Sequence, residues 1–381
     1  MNPFQGLKTD CRHFRYERPC APHKQKGVTC ASCTDDYDPV RTRILVTKLA
    51  ATGDVLRTTA LLPAIHQRWP GAKVTWLTAP SARALFVGNP LVHETLSAAD
   101  PITVARLSAE HFDVVLCPDA EPATAALAAL AHGKERHGYT LDQQGRVAAL
   151  SPAAERWFRM GIDDGSKRKN QETYQKLVAE VLGLDPGQVR EPILNPSAAD
   201  TAKARARRAE LPFQGRLIGL NSGAGGRWIY KQWTLPHQLA FVRLLARRGF
   251  GTLLLGGPEE RERHAQLSAG SLGLPVFDAG TGNTFTEFAA LVDLCDGVVT
   301  GDTFAMHVAC ARKKPTVALF GPTSSAEIEL YGRGQKVTPP GFDCLCCYLP
   351  SCDKKPYCQE AITPEAVLAA LEKVLLVTPA R

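Results

Sequence analysis

Asp54 directly follows Gly53 in KLAATGDVLRTTALLP (residues 48–63), where an apolar run gives way to a helical pattern. Turns that hold phosphate at such a place rely on free amides at a helix N-terminus, and a carboxylate there repels the anion those amides attract. Two readings follow: an acid that complements the helix dipole, or a base that takes a proton from a hydroxyl. Complementary chemistry stands in LNSGAGGRWIYKQW (residues 220–233). There Ser222, Gly223, Gly225 and Gly226 permit close backbone approach, and Arg227 and Lys231 bring positive charge for a diphosphate. A third stretch, VVTGDTFAMHVA (residues 298–309), ends a strand at Gly301 and Asp302 and opens a helix at Thr303 and Phe304. The amides of that helix start could hold phosphate oxygens, with His307 one turn further on the same side.

These stretches need a scaffold that brings strand ends together. Strands Ile44–Val46, Lys73–Leu77 and Phe112–Leu116 alternate with helices at Asp54–Trp69, Ser81–Val87 and Glu121–Ala131. Residues 134–196 look irregular apart from a helix at Glu172–Leu182. A second series then follows, with strands Leu217–Leu220, Thr252–Leu255, Gly297–Thr300 and Thr316–Phe320, and helices Pro236–Arg248, Glu259–Ser268, Thr286–Leu294 and Thr303–Ala311. Alternation over short loops predicts parallel sheets covered on both faces, whose ligands bind beyond the carboxyl ends of the strands. The expected architecture is α/β, two Rossmann-like halves joined by an Ala/Arg-rich segment near 197–215. The expected units are a cysteine-rich module at 1–40, a first Rossmann-like half at 41–205 and a second at 206–360 carrying a cysteine finger near 344–358. A closing helix at 361–381 starts on Thr363 and Pro364.

With 381 residues, 44% of them hydrophobic and 22% charged, the composition is that of a globular protein. The longest apolar runs, such as Val114–Cys117 and Thr252–Leu255, fall far short of the roughly 20 residues of a membrane span. The N-terminus has no basic-then-apolar signal pattern, so the expectation is a cytoplasmic protein. A net charge of +7 suits anionic substrates or an anionic membrane face as readily as nucleic acid; the expected contact is peripheral, with the inner membrane, and nucleic acid is not an expected partner.

The three stretches, taken in order, resemble the ADP-heptose:lipopolysaccharide heptosyltransferases of glycosyltransferase family 9, over about residues 42–375. The resemblance rests on K-x-x-x-x-G-D with T-x-x-L-L-P (Lys48, Gly53, Asp54, Thr59, Pro63), on Lys231 and Trp233, on GDTFAMH and on LFGPT at 319–323. It implies a GT-B fold and assigns Asp54 as the base on the acceptor hydroxyl and Lys231 as the group that neutralises donor phosphates. It places Glu259 on the nucleoside ribose, with Glu260 as the alternative register, and Asp302 near the transferred sugar. Ser222, Gly223 and Arg227 belong to the donor loop, and Thr303, Phe304 and His307 to the diphosphate site. The resemblance departs at Phe304, where relatives often carry glycine. The expected activity is inverting transfer from an ADP-sugar to a lipopolysaccharide-core, surface-glycan or protein acceptor. Lys/Arg and a helix N-terminus would stabilise the leaving group without a divalent metal. The rival readings are a GT-B epimerase or hydrolase of nucleotide sugars and a metal-binding interaction protein.

Nine of the twelve cysteines fall in two clusters. Cys11, Cys20, Cys30 and Cys33 sit in a segment too short for its own core, a spacing that reads as structural zinc or an iron–sulfur centre. Cys344, Cys347, Cys352 and Cys358, with Cys346 as an alternative ligand, form the second. It resembles the iron-binding finger of autotransporter heptosyltransferases, and thiolate sets do not separate zinc from iron. Cys117, Cys295 and Cys310 lie in apolar segments and read as small buried residues.

Overall fold

The computed structural model describes residues 5–377, the side chains of Arg227, Trp228 and Val377 excepted. Two six-stranded sheets make up its two halves. The first has the order β3-β2-β1-β4-β5-β6, from β1 (Thr42–Thr47), β2 (Ala72–Thr78), β3 (Glu94–Ser97), β4 (His111–Cys117), β5 (His132–Leu141) and β6 (Val147–Ala149). All neighbours in it are parallel except β5 and β6, an antiparallel hairpin in which Tyr139 faces Ala149. The second sheet is parallel throughout in the order β12-β11-β10-β7-β8-β9. Its strands are β7 (Leu217–Asn221), β8 (Gly251–Leu255), β9 (Val276–Asp278), β10 (Gly297–Gly301), β11 (Thr316–Leu319) and β12 (Gly334–Val337).

Parallel strands buried on both faces read as unbroken apolar runs rather than alternating ones. Ile44, Leu45 and Val46 in β1 and Leu253, Leu254 and Leu255 in β8 are at most 2% exposed. Each such side chain contributes about 1.5–3 kcal/mol relative to exposure. That packing fixes the strand ends, and the strand ends fix the site.

The segment 134–196 has the expected helix, at Tyr174–Val181, and where irregular chain was expected it holds most of β5, the β6 hairpin and helices Pro152–Ile162 and Asp164–Lys169. Strands β3, β9 and β12 are too short and half-buried to give a clear run. The expected Asp54–Trp69 helix is interrupted: helix Thr52–Thr58 passes through a 3-10 turn, Thr59–Leu61, into helix Leu62–Arg68. The Ala/Arg-rich joining segment is itself a helix, Ala198–Glu210, started by a Ser197/Asp200 capping box. It docks on the second half through Lys203–Glu287 (2.6 Å) and an Arg207 bond to the Ala279 carbonyl (2.8 Å). The 205/206 division therefore runs through a helix. The closing helix Pro364–Val377 buries Val367, Leu371 and Val374 against the second half. The N-terminal segment contains one short helix, Ala21–Lys26, and joins the first half through an Arg12–His93 bond. Among the described residues, no helix is long and apolar enough to cross a membrane.

Candidate active site

Asp54 lies in the first turn of helix Thr52–Thr58, just past the end of β1. Its Oδ1 accepts from Arg57 Nη2 at 2.8 Å, an i,i+3 pair on one helix face. The Arg57 guanidinium lies 3.6 Å over the ring of Tyr174, whose hydroxyl is 2.8 Å from Thr58 Oγ1. Lys48, buried at the same strand end, donates to Asp119 Oδ2 at 2.8 Å. Burial would raise the Asp54 pKa, but Arg57 and then Lys48 outweigh it and hold the carboxyl below the ordinary carboxylate value. The side chain keeps 37% of its surface open to the cleft. Asp54 is thus an ionised acceptor, held by one arginine and facing solvent.

On the other half, Lys231 Nζ donates to Asp302 Oδ2 at 3.1 Å; both side chains are largely buried, at 16% and 17% exposure. Burial pushes the Asp302 carboxyl up, and Lys231 leads the charges that bring it below its usual value. Ser222 is fully buried and its hydroxyl has no partner among the described residues, while its carbonyl accepts from Gln238 Nε2 at 2.9 Å. Gly223 is required, because a Cβ there would lie 2.3 Å from Glu260 Cγ. Glu260, buried, braces the glycine loop by accepting from the amides of Gly225 (3.1 Å) and Gly257 (2.7 Å). The exposed Glu259 accepts from the Gly226 amide and has the surface a nucleoside would need. Arg227 belongs to the same turn, Gly226–Lys231, but its side chain lies outside the described residues.

The helix after β10 is Phe304–Ala311, with Thr303 as its N-cap residue. Thr303 Oγ1 bonds Asn221 Nδ2 (3.3 Å) and Thr300 Oγ1 (3.0 Å), tying β7 to β10. Phe304 packs against Phe285, ring centroids 5.0 Å apart, so its side chain belongs to an aromatic cluster. His307 is the residue whose surroundings differ most from expectation. It is buried against the first half: a Cβ on Gly53 would sit 3.1 Å from His307 Cδ2. Burial, reinforced by Arg57, pushes its pKa down to about 4 against the opposing pull of Asp302 and Asp54. With these groups around it, the ring is uncharged at neutral pH and is wedged between the halves. Gly53 is the residue that lets this wedge close.

Sequence reasoning passed over Arg57, Asp119, Tyr174 and Glu327. Arg57 had a readable signal, its i,i+3 spacing from Asp54 on a helical pattern. The others come from distant segments. Glu327 is buried, and its backbone carbonyl accepts from the Tyr174 N–H at 2.9 Å.

All twelve cysteines are free thiols, and Cys117, Cys295 and Cys310 are buried as expected. Cys11, Cys20, Cys30 and Cys33 line one small cavity together with His13. Cys344, Cys347, Cys352 and Cys358 line a second, beside Gly321 and Tyr230. The two cavities share no residue. Among the described residues, however, no group of three or more His, Cys, Asp or Glu is arranged to hold a metal ion. The expectation of ready-made metal sites is corrected to that extent: the thiols gather but do not close on one point.

The sequence profile of glycosyltransferase family 9 (heptosyltransferase) matches residues 103–357. Lipopolysaccharide heptosyltransferase 1 of Escherichia coli K12 is 26% identical over 317 residues, spanning 77% of this chain and 92% of the relative. Its namesake from Pseudomonas aeruginosa is 24% identical over 371 residues, spanning 88% and 98%. Among solved structures, the family 9 glycosyl transferase of Veillonella parvula superposes with a TM-score of 0.71 at 20% identity, covering 88% of this chain and 98% of that one. E. coli heptosyltransferase WaaC with ADP-2-deoxy-2-fluoro heptose gives 0.55 at 22%, covering 87% and 99%. The iron-containing dodecameric heptosyltransferase TibC in complex with ADP-D-β-D-heptose gives 0.52 at 12%, covering 89% and 77%. With the matched profile spanning most of both halves and the GT-B arrangement of two parallel sheets underneath it, the chain belongs to glycosyltransferase family 9, the heptosyltransferases, and is a glycosyltransferase.

Proposed function

We propose that this chain transfers heptose from ADP-heptose to a lipopolysaccharide-core acceptor, with inversion and without a catalytic divalent metal. One observation carries the reading: an ionised carboxylate, Asp54, stands at the strand ends of one half, and a buried Lys231–Asp302 pair stands at those of the other. Inversion in one displacement needs a base on the acceptor hydroxyl and charge opposite it for the departing diphosphate. Asp54 takes the hydroxyl proton as the new C–O bond forms, and Lys231 meets the charge that develops on the ADP oxygen as the old bond breaks. Ser222, Gly223, Arg227, Glu259 and Thr303 line the donor side in this reading, and the buried Ser222 hydroxyl, without a partner among the described residues, is a hydrogen-bonding group there. Phe304 and His307 act instead in packing and closure. The curated relatives support the sugar and the acceptor class by their names, lipopolysaccharide heptosyltransferase.

Acceptors of this class are anchored in anionic membrane. Leu150 and Ile162, 41% and 73% exposed, line one cavity, and the basic run Lys167, Arg168 and Lys169 follows Ile162 in the chain, a combination suited to peripheral contact at the cytoplasmic face. The deciding experiment presents ADP-heptose and a lipid-anchored core acceptor in anionic vesicles with excess EDTA. Label should move to the lipid, and the enzyme should pellet with the vesicles at low salt and leave them at high salt. Label released as free sugar at the same rate without acceptor would overturn the transferase reading in favour of hydrolysis.

The cysteine clusters are proposed to hold structural zinc or iron in one or two sites. Four thiols lining each of two small cavities, with none in a disulfide, support this, as does the iron in TibC. Such a metal would cross-link its segment, and no step of transfer passes through it. Protein purified without chelator or added metal should carry at least one zinc or iron per chain by elemental analysis. Loss of that metal in Cys347→Ser or Cys30→Ser would assign the site.

A further inference from the structure

The loop after β11 begins at Phe320 and reaches Glu327. Because Gly301 pairs with Leu319, the residues that follow β10 and β11 lie side by side, which puts this loop next to Asp302. Its outer face is covered by the cysteine finger. The Cys346 N–H donates to the Gly321 carbonyl (2.9 Å) and the Tyr348 N–H to the Pro322 carbonyl (2.8 Å). Both finger residues are in the left-handed region, φ 60° and 52°, which side chains rarely adopt, and both direct their amides to the loop. Gly321 is equally constrained, since a Cβ would meet Cys358 Sγ at 2.4 Å.

The Tyr348 side chain completes the clasp. Its hydroxyl accepts from the Ser324 N–H at 3.2 Å and donates toward Glu327 Oε1 at 3.5 Å. Lys167, from the first half, lies 4.3 Å over its ring. Glu327 in turn meets the first half through the Tyr174 amide, and Tyr174 is the ring under Arg57. The finger also touches the other donor loop, because Tyr230, the neighbour of Lys231, donates to the Cys352 carbonyl (3.4 Å) and packs edge-on against Tyr357, centroids 5.2 Å apart. Burial raises the Glu327 carboxyl's pKa, with Arg57 and Lys167 pulling it down and Asp302 and Asp54 pushing it up, so it stands in the field of both halves of the site.

We propose that Tyr348 is a positioning residue for glycosyl transfer, acting through Ser324 and Glu327 to set the donor-side wall beside Asp302, and that the cysteine finger is thereby part of the donor site. The proposal rests on the transfer reaction proposed above. A tyrosine that only stabilises the fold lowers the active fraction, which lowers kcat and leaves KM in place. A tyrosine that sets the donor wall changes the KM for the donor. The test is steady-state transfer from ADP-heptose by the full chain and its Tyr348→Phe, Glu327→Gln and double variants, with melting temperature alongside. Tyr348→Phe keeps the ring and the Lys167 contact and removes only the hydroxyl. Its donor KM should rise about tenfold with kcat within about twofold, and the double variant should be no worse than the poorer single one. Because KM is independent of the amount of folded enzyme, the comparison holds even where a variant is partly unfolded. Wild-type transfer with an unchanged donor KM in Tyr348→Phe, or single effects that multiply in the double variant, would overturn the positioning role alone. A wild-type protein that releases no ADP from ADP-heptose would overturn the proposed reaction, and the role of Tyr348 in it.

Discussion

Asp54→Ala and Asp54→Asn should each lower the transfer rate by about 10²–10⁴ while leaving nucleotide affinity within about twofold, because general-base catalysis is worth that much and the donor groups are on the other half. The asparagine variant is the more telling, since it keeps the shape and a hydrogen bond to Arg57 but cannot take a proton. The same site gives a pH prediction with a definite sign. The native Asp54 carboxyl is held below the ordinary carboxylate value, so the base is ionised across the neutral range and contributes no acid limb there. Arg57→Met removes the largest compensating charge, and burial, which works in the opposite direction, then governs. The acid limb of kcat/KM should move to higher pH in that variant. Transfer at near-wild-type rate by Asp54→Asn would end the base assignment. Superimposable acid limbs for wild type and Arg57→Met would separate Arg57 from Asp54 ionisation.

The readable part of the fold was the part made by local pattern. Buried parallel strands announce themselves as runs such as Ile44–Val46 and Leu253–Leu255, and the short loops after them carry Asp54, Ser222 and Asp302. Strand β5 was passed over because HGKERHGYTL is polar and half-buried near the edge of its sheet, so no apolar run marks it. The site divides in the same way. Lys231 and Asp302 sit on separate strand-end motifs that could each be read, but their contact spans 71 positions and depends on how β7 and β10 pair. His307 shows the limit clearly. Its helical position was legible, but its contact with the first half was not: that contact depends on Gly53, far away in the chain, whose missing side chain admits the ring. Glu327 and Tyr348 had no motif at all: Tyr348 is placed by its amide's bond to Pro322, and Glu327 by the Tyr174 amide and the side-chain bond from Tyr348.

Lys231→Met should cost about 10²–10³ in kcat, the amount a single group stabilising developing negative charge usually supplies. The loss would have two sources, and they can be separated. One is the missing charge at the leaving diphosphate. The other is Asp302, which in the variant keeps a buried carboxylate without its 3.1 Å partner and presents an uncompensated negative charge to an anionic donor. Burial would then raise the Asp302 pKa, the direction that Lys231 normally overcomes. The double variant Lys231→Met/Asp302→Asn removes the stranded charge, so it should recover donor KM and melting temperature toward wild type while kcat stays low. Lys231→Arg keeps the charge in a different shape and should fall between wild type and Lys231→Met. If the double variant recovers kcat as well, Lys231 serves only to neutralise Asp302, and the leaving-group role passes to another cation. If neither KM nor stability responds to the second substitution, the pair is not coupled in the working enzyme. The expected split, with kcat following the lysine and KM the carboxylate, would place the chemical step on Lys231 and the fit of the sugar on Asp302.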